Sequence, residues 1–263
     1  LNDGTAPTTE DVVVTSTTIH VDQTTLDTDG DAADGFNLAE ALAIAKDGDS
    51  ILIHDGTYRG QFVATKAVTI DALNGSSGHV TLEAPDTGDL VKSAQDFLTN
   101  NGRWRVPVID LKADASSSGT VTLKNITVDG RYQAIVDQYS ANKDLIGIGV
   151  FNTNALIDHV TVRNVADDSN GNYGETDENF GIVAEGSSAL SAPVTVTIQN
   201  STLETFQRTG IIAWGVNLHA NILNNTLTGT GVSSQTVQNA IQIGSSNTDR
   251  AGTTATVTGN TFT

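Results

Sequence analysis

The sequence predicts an all-β solenoid, a parallel β-helix with a short helix at its N-terminal end. Three observations lead there: a tandem repeat, apolar residues alternating within each repeat, and a composition that favours strands and turns. The repeat is clearest in "LIGIGVFN" (145–152), "NFGIVAEG" (179–186), "RTGIIAWG" (208–215) and "QNAIQIGS" (238–245). These are anchored on Gly147, Gly181, Gly210 and Ala240, so the steps are 34, 29 and 30 residues. A near-constant period of this size is the mark of stacked structural units. Each segment is followed by a second type: "ALIDHVTVRN", "VTVTIQNSTL", "LHANILNNTL" and "TATVTGNTFT". One unit earlier, "PVIDLKA" and "TVTLKNITV" form the same pair, giving five tandem units of two or three short strands.

Residues 1–49 read as an N-terminal segment ending in a capping helix, and residues 50–263 as the solenoid. In "NLAEALAIAKDGDSILIHDGTY", Asn37 and Glu40 have capping-box spacing, Leu38, Leu42 and Ala45 share one side, and Gly48 is expected to close the helix. The segment is similar to the entry segment of secreted β-helix proteins, and that resemblance implies a helix that plugs the open end of the apolar column. Strand alternation then puts Ile148 and Val150, Ile182 and Ala184, Ile211 and Ala213, and Ile241 and Ile243 on one face. Val121, Leu123, Val196, Ile198 and Ile222 supply a second wall. A polar position recurs between the inner strands at Asn125, His159, Asn200, Asn225 and Asn260, where a side-chain amide can bond the backbone of a tight bend. Residues 85–106 break the period and read as an irregular, partly helical excursion. The sequence stops inside a second-type segment, "GNTFT", and lacks Met, so it is expected to be part of a longer chain or to stack its last coil on a neighbour.

Composition narrows the function classes. The 263 residues hold no Cys, which removes thiol catalysis and disulfide frameworks and is compatible with export. With 13 basic and 31 acidic residues the formal net charge is −18. That balance argues against nucleic acid and anionic membrane as partners and suits a soluble protein or one that binds divalent cations. No apolar run is long enough to cross a bilayer.

The glycine-anchored coils with an asparagine at the turn resemble the right-handed parallel β-helix of the pectate-lyase-like superfamily, over roughly residues 50–263. The "TIHVDQTTLDTDGDAADGFNLAEAL" segment is similar to an N-terminal motif of bacterial surface β-helices, with Asn37 and Ala39 departing from it. Superfamily members include lyases, hydrolases, epimerases, phage spikes and inert adhesin stalks, so fold alone does not choose an activity.

The long turns before the glycine-anchored strands, 129–146, 165–180 and 228–239, should wall a groove along one edge. They carry Tyr132, Tyr139, Tyr173, Asp144, Asp177 and Glu178, with Arg208 on the short turn between. Asp144 and Glu178 hold the same position relative to their anchors, and stacked coils lie ~4.8 Å apart, so the two could share one calcium ion. The resemblance implies that acids on adjacent coils hold a calcium that neutralises a uronate carboxylate. It further implies that an Arg, here Arg208, removes the adjacent proton. No second basic residue accompanies Arg208, and the paired-aspartate hydrolase, pectin-esterase and Asp-Pro-His-Glu motifs are absent. A solvated acidic rim explains the same residues. On the outward face of the same strands, Phe151, Glu185 and Trp214 could stack on sugar rings, or a long loop could cover them. His159 reads as a structural member of the asparagine column.

The turn "DTDGDAADG" (27–35) places Asp27, Asp29 and Asp31 at the first three ligand positions of an EF-hand loop, but Ala32 and Leu38 replace the required Gly and Glu. A looser calcium site or a solvated turn both remain open. The expectation is therefore a structural or adhesive module of a secreted or cell-surface bacterial protein. It is calcium-stabilised and contacts extracellular polysaccharide or neighbouring copies, without nucleic acid or membrane insertion. The alternative is a calcium-dependent lyase or epimerase acting on an acidic glycan.

Overall fold

In the computed structural model the chain winds through stacked coils of three strands each. The structure describes residues 16–22, 37–75, 78–85, 104–114, 117, 119–132, 143–166, 179–230, 237–244 and 252–263. Strand β1 (Thr18–Val21) precedes helix α1 (Leu38–Ile44). The first two coils are β2 (Ser50–Ile53), β3 (Gly56–Arg59) and β4 (Phe62–Ala64), then β5 (Thr69–Ala72), β6 (Val80–Glu83) and β7 (Trp104–Leu111). Next come β8 (Thr120–Lys124), β9 (Thr127–Asp129) and β10 (Lys143–Phe151), then β11 (Asn154–Asp158), β12 (Thr161–Val165) and β13 (Phe180–Gly186). The last are β14 (Val194–Gln199), β15 (Thr202–Phe206) and β16 (Thr209–Gly215); β17 (Leu218–Leu223), β18 (Thr226–Thr228) and β19 (Asn239–Ile243); and β20 (Thr254–Thr258) with β21 (Thr261–Phe262).

The first strands of the coils join β1 in an eight-stranded sheet, the second strands form a seven-stranded sheet, and the third strands a six-stranded sheet. All described pairings are parallel. The protein is an all-β parallel β-helix. β1 carries the first sheet into the N-terminal segment, and β7 begins at Trp104, within the span read as an excursion.

The predicted apolar columns stack in register. Ile148, Ile182, Ile211 and Ile241 form one, and Val150, Ala184, Ala213 and Ile243 another. Val121, Leu123, Val196, Ile198 and Ile222 make the facing wall, all buried. The anchor glycines owe their recurrence to the spacing of the coils. A Cβ on Gly147 would lie 2.6 Å from the Gly181 carbonyl oxygen, one on Gly181 2.5 Å from that of Gly210, and one on Gly210 2.7 Å from that of Ala240. Side chains from the facing strands fill the space as well.

The helix forms as its cap predicts. The Asn37 side chain accepts from the Glu40 N–H at 3.0 Å, and the Glu40 carboxylate accepts from the Asn37 N–H at 3.2 Å. Leu38, Ala41 and Leu42 are buried, and the helix packs on β1, β2 and β4. Its end differs from the expectation: Ala45 is the C-cap, and Gly48, at φ +88°, shapes the turn that follows.

The polar column also needs correcting. The left-handed bend residues are Asn125, His159, Asn200, Asn224 and then Gly259. Asn225 and Asn260 lie one residue beyond, in a separate internal ladder. There Ser201 N–H donates to Asn225 Oδ1 at 3.0 Å and Asn225 N–H to Asn260 Oδ1 at 2.9 Å. Positive φ is what Asn, His and Gly tolerate better than branched residues, so the backbone rather than the repeat count selects them. The bend asparagines bond acids of the preceding coil: Asn125 Nδ2 to Asp71 Oδ1 at 2.8 Å, and Asn200 Nδ2 to Asp158 Oδ1 at 2.9 Å. His159 occupies the same bend, exposed, with its Nδ1 2.9 Å from Asp158 Oδ1.

Candidate functional site

The outer face of the third sheet gathers the chemistry. Strand pairing sets Asp144 on β10 opposite Arg105 on β7. Asp144 Oδ2 lies 3.3 Å from Arg105 Nη1, and the two side chains are 0% and 3% exposed. The guanidinium also stands 4.6 Å from the centre of the Phe180 ring and 5.7 Å from that of Trp214, a cation–π geometry worth ~2 kcal/mol when desolvated. Trp214 pairs in register with Glu185, and its Nε1–H donates to Glu185 Oε2 at 2.9 Å. Both are buried. Asp110, also buried, faces Lys112 Nζ at 3.4 Å. Among these charges lies a second apolar cluster of Ile146, Phe180, Val183, Ile212 and Trp214, with Phe151 packed at its edge.

This face is therefore a second core in which Asp144 and Asp110 meet opposite charges and Glu185 meets the Trp214 indole N–H. Burying ions is favourable only where partners replace lost water, and the pairing across adjacent coils supplies them. A calcium ion on Asp144 would have to share its carboxylate with the Arg105 guanidinium. Among the described residues, no group of three or more His, Asp or Glu side chains is placed to hold a metal.

At the corner before β10, β13 and β16 runs a polar ladder. Asn179 Oδ1 accepts from the Leu145 N–H at 2.8 Å, and Asn179 Nδ2 donates to Gln207 Oε1 at 2.7 Å. The Arg208 N–H donates to the Asn179 carbonyl at 3.0 Å, and the Arg208 carbonyl accepts from the Asn239 N–H at 2.8 Å. Arg208 is thus fixed by its backbone, with a half-buried side chain.

Of the residues singled out by sequence, the structure brings Asp144, Glu185 and Trp214 onto this buried face, with Phe151 half-buried at its end. Tyr132 is half-buried just past β9. Tyr139, Tyr173, Asp177, Glu178, Asp27, Asp29 and Asp31 lie outside the described residues. Arg105 was missed because it fell within the supposed excursion. The alternation of "WRVPVIDL" (104–111) was the signal that could have found it, since it carries β7 through Arg105.

No family model matches this sequence, and no curated protein matches it. Among solved structures, an alginate lyase from Paenibacillus sp. str. FPU-7 matches at 14% identity and TM-score 0.30, over 94% of this chain and 97% of that one. The PL6 family alginate lyase AlyGC matches at 14% identity and TM-score 0.33, over 98% of this chain. This chain spans 41% of that enzyme's length. Likeness at this level concerns the parallel β-helix fold alone.

Proposed function

We propose that this chain is a structural and adhesive β-helix module of a secreted or cell-surface bacterial protein, of the pectate-lyase-like kind, stiffened by calcium and contacting extracellular polysaccharide or neighbouring copies. One observation carries the reading. On the outer face of the third sheet the charged and aromatic side chains Arg105, Asp144, Glu185 and Trp214 are all at most 4% exposed. Ionisable groups packed this way stiffen a rod rather than meet a substrate. Calcium enters through the acidic stretches containing Asp27, Asp29, Asp31, Asp177 and Glu178, whereas the buried Asp144 is committed to Arg105. The expected result is a melting temperature that rises with added calcium and falls with chelator, together with retention on insoluble polysaccharide and no change in the polysaccharide itself. A melting temperature indifferent to calcium removes the metal from the reading.

A second reading, a calcium-dependent lyase or epimerase acting on an acidic glycan, is favoured by one feature: Arg208 keeps a partly exposed side chain beside the Asn179–Gln207 ladder. Alginate or polygalacturonate incubated with the protein and calcium tests it through ultraviolet absorbance of the unsaturated product. Activity that disappears in Arg208→Ala would establish the enzyme and displace the purely structural module.

A further inference from the structure

A small cleft of about 220 Å³ opens where β7 and β10 run out, at the end of the third sheet. Phe151, Leu190 and Ala113 form its apolar side, and Lys112, Asp114 and Asn152 its polar rim. Three successive coils build the walls, and hydrogen bonds hold each in place. The Lys112 N–H donates to the Ala64 carbonyl and the Asp114 N–H to that of Thr65, both at 2.9 Å. The Asn152 N–H donates to the Glu185 carbonyl at 3.0 Å, and Asn152 Nδ2 to Ser187 Oγ at 2.8 Å. Asn217 Nδ2 donates to the Leu190 carbonyl at 3.1 Å, which pins the loop carrying the apolar wall.

The rim charges are balanced locally. Lys112 faces Asp110 at 3.4 Å, and Asp114 meets Lys66 Nζ at 2.6 Å. The site therefore offers a polyanion no uncompensated positive charge, while the whole chain, at −18, repels one. What fits is a small uncharged ligand with one apolar face and a rim of donors and acceptors. Pockets for drug-sized molecules run to roughly 300–1,000 Å³, so this one takes a single ring. A pyranose has that form, with C–H bonds on its faces and hydroxyls around its edge.

We propose that this cleft binds one neutral pyranose ring of a polysaccharide, its C–H face against Phe151 and Leu190 and its hydroxyls bonded to Asp114, Lys112 and Asn152. The proposal rests on the polysaccharide-contacting reading above and names the sugar class. Pre-organisation by the coil hydrogen bonds spares the ligand the cost of ordering the walls.

Saturation-transfer NMR tests it with four probes: methyl β-D-glucopyranoside, methyl α-D-mannopyranoside, methyl β-D-galactopyranoside and methyl α-D-galactopyranosiduronate. At least one hexoside is expected to receive saturation at its ring protons, and the uronide none. Phe151→Ala should weaken the hexoside about fivefold, consistent with loss of an aromatic contact. Asp114→Ala, at an exposed position, should weaken it in a protein whose melting temperature is unchanged, and Leu190→Ala, half-buried against the core, should weaken it as well. Full-strength transfer in all three variants, preference for the uronide, or no transfer to any probe overturns the proposal. Retention of the wild type on insoluble polysaccharide separates the two levels. Retention that all three variants keep in full overturns the cleft alone, whereas no retention on any polysaccharide overturns the broader reading.

Discussion

The second and third sheets both carry charged residues on their outer faces, paired across neighbouring coils, yet water makes the two faces different objects. On the second sheet Arg59 Nη2 meets Glu83 Oε2 at 3.0 Å with side chains 46% and 20% exposed, and Arg163, 41% exposed, meets the largely buried Asp129 Oδ2 at 2.7 Å. On the third sheet Arg105 and Asp144 pair at a similar separation but almost wholly out of solvent. The residue types and the coil spacing are alike. In water, Coulomb attraction is screened and side-chain entropy offsets it, so an exposed pair contributes ~0–1 kcal/mol. Away from water, each ion depends on its partner, and removing one leaves an uncompensated charge.

The largest test of that contrast is Asp144→Ala, expected to lower stability by about 3–5 kcal/mol in equilibrium denaturation. The double substitution Arg105→Met with Asp144→Leu should recover most of the loss, because it removes both charges and refills the volume. If the double variant is as unstable as the single one, the pair is not what holds this face together. Next in size is Glu185→Ala, which leaves the buried Trp214 N–H without its 2.9 Å acceptor and should cost about 1–3 kcal/mol, followed by tryptophan fluorescence during unfolding. An effect near zero would mean that water reaches this face.

A titratable group on the inner side of the second sheet sharpens the comparison further. Burial, reinforced by the Asp22 and Asp55 carboxylates, pushes the Tyr58 hydroxyl from 10.0 up to about 12. The unfolded chain therefore loses this proton first as pH rises. Tyr58 contributes its full stability below pH 10, and that contribution declines between pH 10 and about 12. Tyr58→Phe should flatten this part of the pH–stability profile, and an unchanged slope would assign the decline to other groups. The smallest effect belongs to Arg59→Ala on the open face, at most about 1 kcal/mol and diminished by salt. A loss matching that of Asp144→Ala would erase the distinction between the faces.

Much of the coil was legible before the structure. The glycine column at 147, 181 and 210 marks where backbone of the next coil leaves no room for a Cβ, and the apolar alternation gives the inner columns their register. The bend column was legible only in part. Asn125, His159 and Asn200 occupy it, but the doublet Asn224–Asn225 offered two candidates, and only the observed φ of 56° identifies Asn224. Arg105 was hidden because the long segment before it obscured where β7 begins. Asp144 was visible as a candidate, but its described partner is a residue 39 positions earlier, brought into register by a coil whose length the pattern does not specify.

The sequence by itself determined the parallel coil, its inner apolar columns and the capped helix at Asn37, because these depend on local periodicity, backbone sterics and a cap spanning four residues. Only the tertiary structure decided which outer face loses contact with water. Alternation assigns a side chain to a face of its sheet, whereas burial of that face depends on what the folded chain lays over it. Arg59 and Arg105 both point outward from coils of the same solenoid, and solvent access alone makes one a surface charge and the other part of a core.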